Sequence, residues 1–281
     1  MKTYQLLLMV MAFAALFVSC ANDEIELLTP YEAADVVNGG IMFDKFWSAE
    51  AAYDQSSVNL SGLNAFPEFF SCKQCHGWDG LGNAGSFINR VPKTTRPNIA
   101  GLNLYKLAKS STEQELFDGL KKTEGRRDIS YSLKTYNPVT NATEGDKMPN
   151  LTQLLTDAQI WDIVKFLREG MINVDILYAA TYSGAYPAGS VTFSNMGRNG
   201  VETAGKDFYS SNCAQCHGSN GKTLGIEGMS LGKFVRSRPF EVQHKLKYGK
   251  PGTIMEGESE ITITQMKDVY KAFSNPDNYP D

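Results

Sequence analysis

Histidine and cysteine are scarce in this chain of 281 residues, with three of one and five of the other. Four of the cysteines fall in two short motifs and the fifth, Cys20, stands alone near the N-terminus, so no pair is left for a disulfide framework. Charge of one sign is also missing: the net charge is -4, which argues against nucleic acid as a partner. Nor is the N-terminal apolar run, Leu6 to Val18, long enough to cross a membrane, since as a helix it spans about 20 Å against a hydrocarbon core of roughly 30 Å. What remains is a length that suits one or two domains, with 42% hydrophobic residues to bury a core in each.

The apolar run has the form of an export signal, with Lys2 as its charged head and Ser19 and Cys20 at its end. The segment FVSC resembles a bacterial lipobox. That resemblance implies cleavage after Ser19 and lipidation of Cys20, with Asn22, Asp23, Glu24 and Glu26 forming a short acidic tether.

The four remaining cysteines occur as CKQCH at Cys72, Cys75 and His76 and as CAQCH at Cys213, Cys216 and His217. Residues three and four apart share one face of a helical turn. This is the c-type haem attachment pattern, in which two thiols form thioethers to the porphyrin edge and the histidine reaches the iron. A glycine follows each copy, Gly77 and Gly218. A four-cysteine zinc site would need Cys75 and Cys213 to converge from distant positions and would leave the paired His-Gly unexplained. A formal G-x-G-x-x-G match at Gly80, Gly82 and Gly85 directly follows the first motif, where a dinucleotide site would need a preceding strand, so the nucleotide reading is rejected.

Beyond the motifs the chain resembles class I cytochrome c. Gly205, Tyr209 and Cys213 match the family's spacing of glycine, aromatic residue and first haem cysteine; Gly39 and Phe43 match its start, with an insertion at about 48–71 before Cys72. The glycine is expected to let an N-terminal helix cross closely over a C-terminal one. Arg96, Pro97, Asn98 and Ile99 resemble the proline segment whose carbonyl accepts a hydrogen bond from the proximal imidazole, so Pro97 would serve His76, and Met229 stands at the corresponding place after His217. Met148 and Pro149 fall where the family carries its distal ligand, and GKPGTIMEG resembles the family's second form of that loop, with Glu256 in place of proline. The resemblance therefore implies Met148 and Met255 as iron ligands opposite His76 and His217.

Thr156 with Gln159 and Thr262 with Gln265 read as capping boxes before the periodic sets Ile160, Ile163, Val164, Leu167 and Met266, Val269, Tyr270, Phe273. Met266 thereby falls on the core face and not at an iron. Helix is also expected over Tyr31 to Val37, Gly39 to about Tyr53 and Thr112 to Lys122. The insertion before Cys72 reads as a loop, and Met171 to Gly200 as an extended connector whose Tyr178, Tyr182 and Tyr186 could pack between domains. Aligning the two halves sets His244 opposite Asp118 on the polar side of a helix, which reads as a solvated histidine. Arg90, Arg96, Arg236 and Arg238 are candidate propionate partners, but such arginines are more often solvated surface charges, and none is counted among the site residues.

The expected fold is mainly α: two tandem cytochrome c-like helical domains, each around one covalent haem c. The boundaries are a signal peptide at 1–19, the tether and first helix at 20–38, a first domain at 39–170, a connector at 171–203 and a second domain at 204–275. Two covalently attached haem c groups would be held through Cys72, Cys75, Cys213 and Cys216. The implied function is single-electron transfer between donor and acceptor proteins, in a protein exported and lipid-anchored through Cys20 on the periplasmic or cell-surface side of a membrane. The alternative is a diheme oxidoreductase, peroxidase-like or thiosulfate dehydrogenase-like, with one haem open to substrate.

Overall fold

Thr156 and Thr262 each cap a helix by accepting the backbone N–H of the glutamine three residues on, and that glutamine's side chain returns the bond to the threonine backbone. The helices they start, Asp157–Lys165 and Ile263–Ser274, bury Ile160, Ile163, Val164 and Met266, Val269, Phe273. The computed structural model describes residues 27–48, 60–140 and 142–281. The signal segment and Cys20 lie outside the described residues.

In the first half α1 is Pro30–Ala33, α2 Val36–Lys45, α3 Leu60–Ala65, α4 Cys72–His76, α5 Leu104–Ser110, α6 Glu113–Lys121 and α7 Asp157–Lys165. A wider turn, Phe166–Gly170, continues α7. In the second half α8 is Glu202–Asn212, α9 Ala214–His217, α10 Leu231–Ser237, α11 Pro239–Tyr248 and α12 Ile263–Ser274. The molecule is mainly helical, as its sequence implies.

Three local readings change. The expected helix from Tyr31 to Val37 breaks at Ala34, because Asp35 turns its carboxylate onto the N–H groups of Val37 and Asn38 and so starts α2 afresh. The described part of the insertion before Cys72 is not plain loop: it contains α3 and a short turn of helix at Pro67–Phe69, while residues 49–59 lie outside the described residues. The connector folds into an antiparallel hairpin, β1 Ala179–Ser183 against β2 Ser190–Ser194, with Thr181 opposite Thr192.

The same crossing of first and last helix is built in both halves. On α2, a Cβ added to Gly39 would lie 2.0 Å from the Asp162 carbonyl oxygen; on α8, one added to Gly205 would lie 2.0 Å from that of Asp268. Only hydrogen fits at such a crossing. Asp162 and Asp268, each six residues past its capping threonine, bond back to the opposite helix: Asp162 accepts from Asp35 N at 2.7 Å and Asn38 Nδ2 at 2.6 Å, and Asp268 accepts from Val201 N at 2.7 Å. Tyr209 meets Phe273 edge-on at 5.2 Å, and Phe43 meets Phe166 at 5.1 Å.

Two hydrophobic cores result, and they share residues across the boundary. Tyr248 of α11 packs in the first, while Trp78, Phe87 and Ile99 of the first half pack in the second. The hairpin ties them further, since Tyr186 donates its hydroxyl to Asn98 Oδ1 at 2.5 Å while Tyr178 packs on Tyr270 with ring centroids 6.2 Å apart. No helix of the described residues is long and apolar enough to cross a membrane.

Candidate haem sites

The first motif forms the short helix α4, which Gly77 ends at φ 76°, a left-handed conformation that favours glycine. Cys72, Cys75 and His76 all line one cavity of about 510 Å³, and Met148 lines it too. The rest of its wall is mostly apolar, with Phe43, Leu116, Ile163 and Leu167 among the lining residues. Burial pushes both thiols up to about 12. They stay protonated at neutral pH, which sets them apart from reactive CxxC thiolates. Burial also pushes His76 down to about 4, so its ring is neutral and able to ligate.

Met148 is held by backbone. Its carbonyl accepts from Arg127 N at 2.9 Å, and the Arg127 carbonyl accepts from Asn150 N at 2.8 Å, clamping the Met-Pro turn from both sides. The Arg127 side chain is fully buried. It donates from Nη2 to the Phe69 carbonyl at 2.9 Å and lies over the Phe70 ring, but Nε and Nη1 have no partner. Arg126, which lines the cavity, also has a buried Nε without a partner. Buried cationic donors beside an apolar cavity call for an anion. A porphyrin has an apolar body and a carboxylate edge, so the residues present fit a haem.

The second motif closes against α8 through α9, with Gly218 at φ 78°. Cys213, His217 and Met255 line a tighter, mostly apolar cavity together with Leu231, Phe234, Leu246 and Val269, and Lys245 borders it as well. Met229 does not line it; its backbone pairs with Ile226, and its sulfur lies 3.9 Å from Ser237 Oγ. Met266 is fully buried in the core, on the face its capping box implies. Cys216 is exposed. Burial pushes the Cys213 thiol up to about 11. The Met255 turn is tight: its carbonyl accepts from Lys250 N at 2.8 Å, and a Cβ on Gly249 would lie 2.3 Å from that oxygen.

The two histidines are supported differently. His217 Nδ1 donates to the Leu224 carbonyl. A carbonyl only accepts, so the proton stays on Nδ1 and the lone pair on Nε2 is free to ligate. The Met229 carbonyl is taken by Ile226 N at 3.0 Å. His76 Nδ1 is buried with no partner among the described residues. The Pro97 carbonyl does not serve it: the segment is drawn elsewhere, with Ala100 N on the Cys75 carbonyl at 2.7 Å and Asn98 held by Tyr186 and Asp146.

The arginines named from sequence line neither motif's cavity: Arg90, Arg96 and Arg238 border a separate one of about 930 Å³, and all four have protein partners. Arg236 donates to the carbonyls of Phe273 and Tyr279, Arg238 pairs with Glu227, Arg90 with Glu68 at 3.7 Å, and Arg96 donates to the Val91 carbonyl. Arg126 and Arg127 were hidden in a polar, turn-rich stretch, and only their position next to Met148 in space gives them a role. His244 is not solvated: it is fully buried between α2 and α11, with Nε2 donating to the Gly40 carbonyl at 2.9 Å. Among the described residues no group of three or more His, Cys, Asp or Glu side chains gathers as for a bare metal ion, so the four-cysteine zinc alternative has no site.

Residues 67–170 match the family model of cytochrome c, and residues 200–271 that of cytochrome c oxidase, cbb3-type, subunit III. No curated protein and no solved structure matches the chain.

Proposed function

From a chain built of cytochrome c domains, which bring covalent haem c and electron transfer with them, we propose that it is a diheme cytochrome relaying single electrons between two redox proteins. The observation that carries this is the repetition of one donor set: the first cysteine and the histidine of each CxxCH motif line a separate cavity together with a methionine, Cys72, His76 and Met148 in one and Cys213, His217 and Met255 in the other. In each, the cysteines tether the porphyrin, the histidine supplies a nitrogen and the methionine a soft, neutral sulfur. The bound haem supplies an iron that changes oxidation state by one electron. The protein's own part would be to hold the histidine and methionine donors, exclude water with apolar walls, and neutralise the acidic edge of the first haem with Arg126 and Arg127. A haem iron held by a histidine and a methionine would pass electrons without binding substrate. Lipidation at Cys20 after export, with the acidic tether, would hold the relay beside a membrane on its periplasmic or cell-surface side, within reach of donor and acceptor.

Protein made with a haem-attachment system should carry the mass of two haems, and its ferrous form should bind no carbon monoxide without denaturant. Met148→Ala and Met255→Ala should each open one site, seen as one equivalent of carbon monoxide bound and loss of half the low-spin methionine signature. Stoichiometric binding to the unaltered protein would replace the relay by the oxidoreductase reading, with one substrate-accessible haem.

A further inference from the structure

Between the two candidate haem sites lies a buried cluster of charge that neither site uses. Asp44, near the end of α2, is fully buried, and its carboxylate takes a lysine from each side. Lys73, which stands between the two haem cysteines of CKQCH, meets Oδ1; Lys245 of α11, which lines the second cavity beside Cys213, His217 and Met255, meets Oδ2 at 2.9 Å. Both ammonium groups also lie over the Trp78 ring, 4.3 and 4.4 Å from its centroid. Trp78 is in turn fixed to α11, since Gln243 donates to its carbonyl at 3.0 Å and the His244 ring packs 4.7 Å away. Glu241 completes the cluster, 3.7 Å from Lys245. Arg238 reaches the same carboxylate from the other side at 3.9 Å.

Burial disfavours the charged form of Asp44, but the ammonium groups of Lys73 and Lys245 outweigh it and hold the carboxylate below its ordinary range. The charge is therefore present at neutral pH. Water screens it poorly there, and its field reaches both neighbouring cavities. A fixed negative charge disfavours adding an electron nearby; a fixed positive charge favours it.

We infer that Asp44 is a positioning residue shared by both haem sites, which with Lys73 and Lys245 sets the two reduction potentials relative to each other. This rests on the reading of one haem c in each domain. Lys73 acts mainly on the first haem, Lys245 mainly on the second, and Asp44 on both.

The test is a redox titration of the holoprotein and of Asp44→Asn, Lys73→Met and Lys245→Met, following haem methyl NMR signals assigned to each domain. Asp44→Asn should shift both potentials upward. Lys73→Met should lower the first more than the second, and Lys245→Met the reverse. A merely structural role gives a different pattern, because loosening the interface admits water to the haems and lowers the potentials in all three variants alike. Shifts of one sign throughout, or an Asp44→Asn shift at one haem only, overturn the inference. Where Asp44→Asn does not fold, the two lysine variants decide, and equal lowering at both haems overturns it. Mass spectrometry on each preparation separates the premises: a mass short of two haems sinks the two-haem reading and this inference with it, whereas two haems with the wrong pattern sinks the role of Asp44 alone.

Discussion

Burial pushes the pKa of His244 down to about 3 from an ordinary 6.5, with Lys245 and Lys73 adding to the effect and Asp44 opposing it. The folded protein therefore keeps this ring neutral at pH values where the unfolded chain binds a proton. Stability rises with pH wherever the unfolded state holds more protons. The contribution is thus complete above 6.5 and is lost as pH falls from 6.5 toward 3, at about 1.4 kcal/mol per pH unit at most. Urea unfolding of the holoprotein between pH 6.5 and 5 should show this slope. His244→Gln, which keeps a donor for the Gly40 carbonyl, should flatten it by one proton; an unchanged slope would place the proton elsewhere.

Among the helices, the two crossings are the most demanding features. Gly205→Ala puts a methyl 2.0 Å from the Asp268 carbonyl oxygen, and Gly39→Ala does the same at Asp162. Neither obstacle is a side chain that can swing away, so α8 must lift from α12 and α2 from α7. A loss of about 1–3 kcal/mol is expected for each from overpacking, read as a lower unfolding midpoint; no loss at either position would mean that the helices do not cross there. These glycines were legible because spacing to the haem cysteine is local information, and so were the capping boxes, which need only a threonine and a glutamine three apart. His244 was misread for the opposite reason. Its helix does have a polar side, but α2 of the other half covers that side, and sequence periodicity reports how a helix is polarised, not what comes to lie on it. Arg127 escaped notice likewise, since nothing in a turn-rich stretch announces that a guanidinium will be fully buried beside a cavity. The Pro97 expectation failed because a matching segment need not present the same carbonyl: the hydrogen bond from Ala100 N to the Cys75 carbonyl re-aims the backbone.

At the scale of the whole molecule, the two halves differ in how tightly they pack around their motifs. The first encloses a cavity of about 510 Å³ lined by residues of its main core, too large for a packed interior to sustain empty. The second is tighter, closed by Tyr279 stacked on Phe273 at 3.9 Å and by Arg236 bound to the C-terminal carbonyls. Replacing Cys72, Cys75, Cys213 and Cys216 by alanine should leave both domains poorly folded, the first more so. Hydrogen exchange of that variant should be fastest in α6 and α7, and uniform protection with a well-dispersed NMR spectrum would contradict the prediction.

The cluster at Asp44 has a mechanical side as well. Lysines from two domains gripping one carboxylate, with Tyr248 donating to the Gly170 carbonyl at 3.2 Å and a Cβ on Gly40 excluded by the Tyr248 ring at 2.5 Å, leave no swivel between the halves. Two tethered carriers that must collide to exchange an electron slow down in glycerol. Carriers locked at fixed separation do not, and this chain, once loaded, should pass charge internally at a rate indifferent to the viscosity of its solvent.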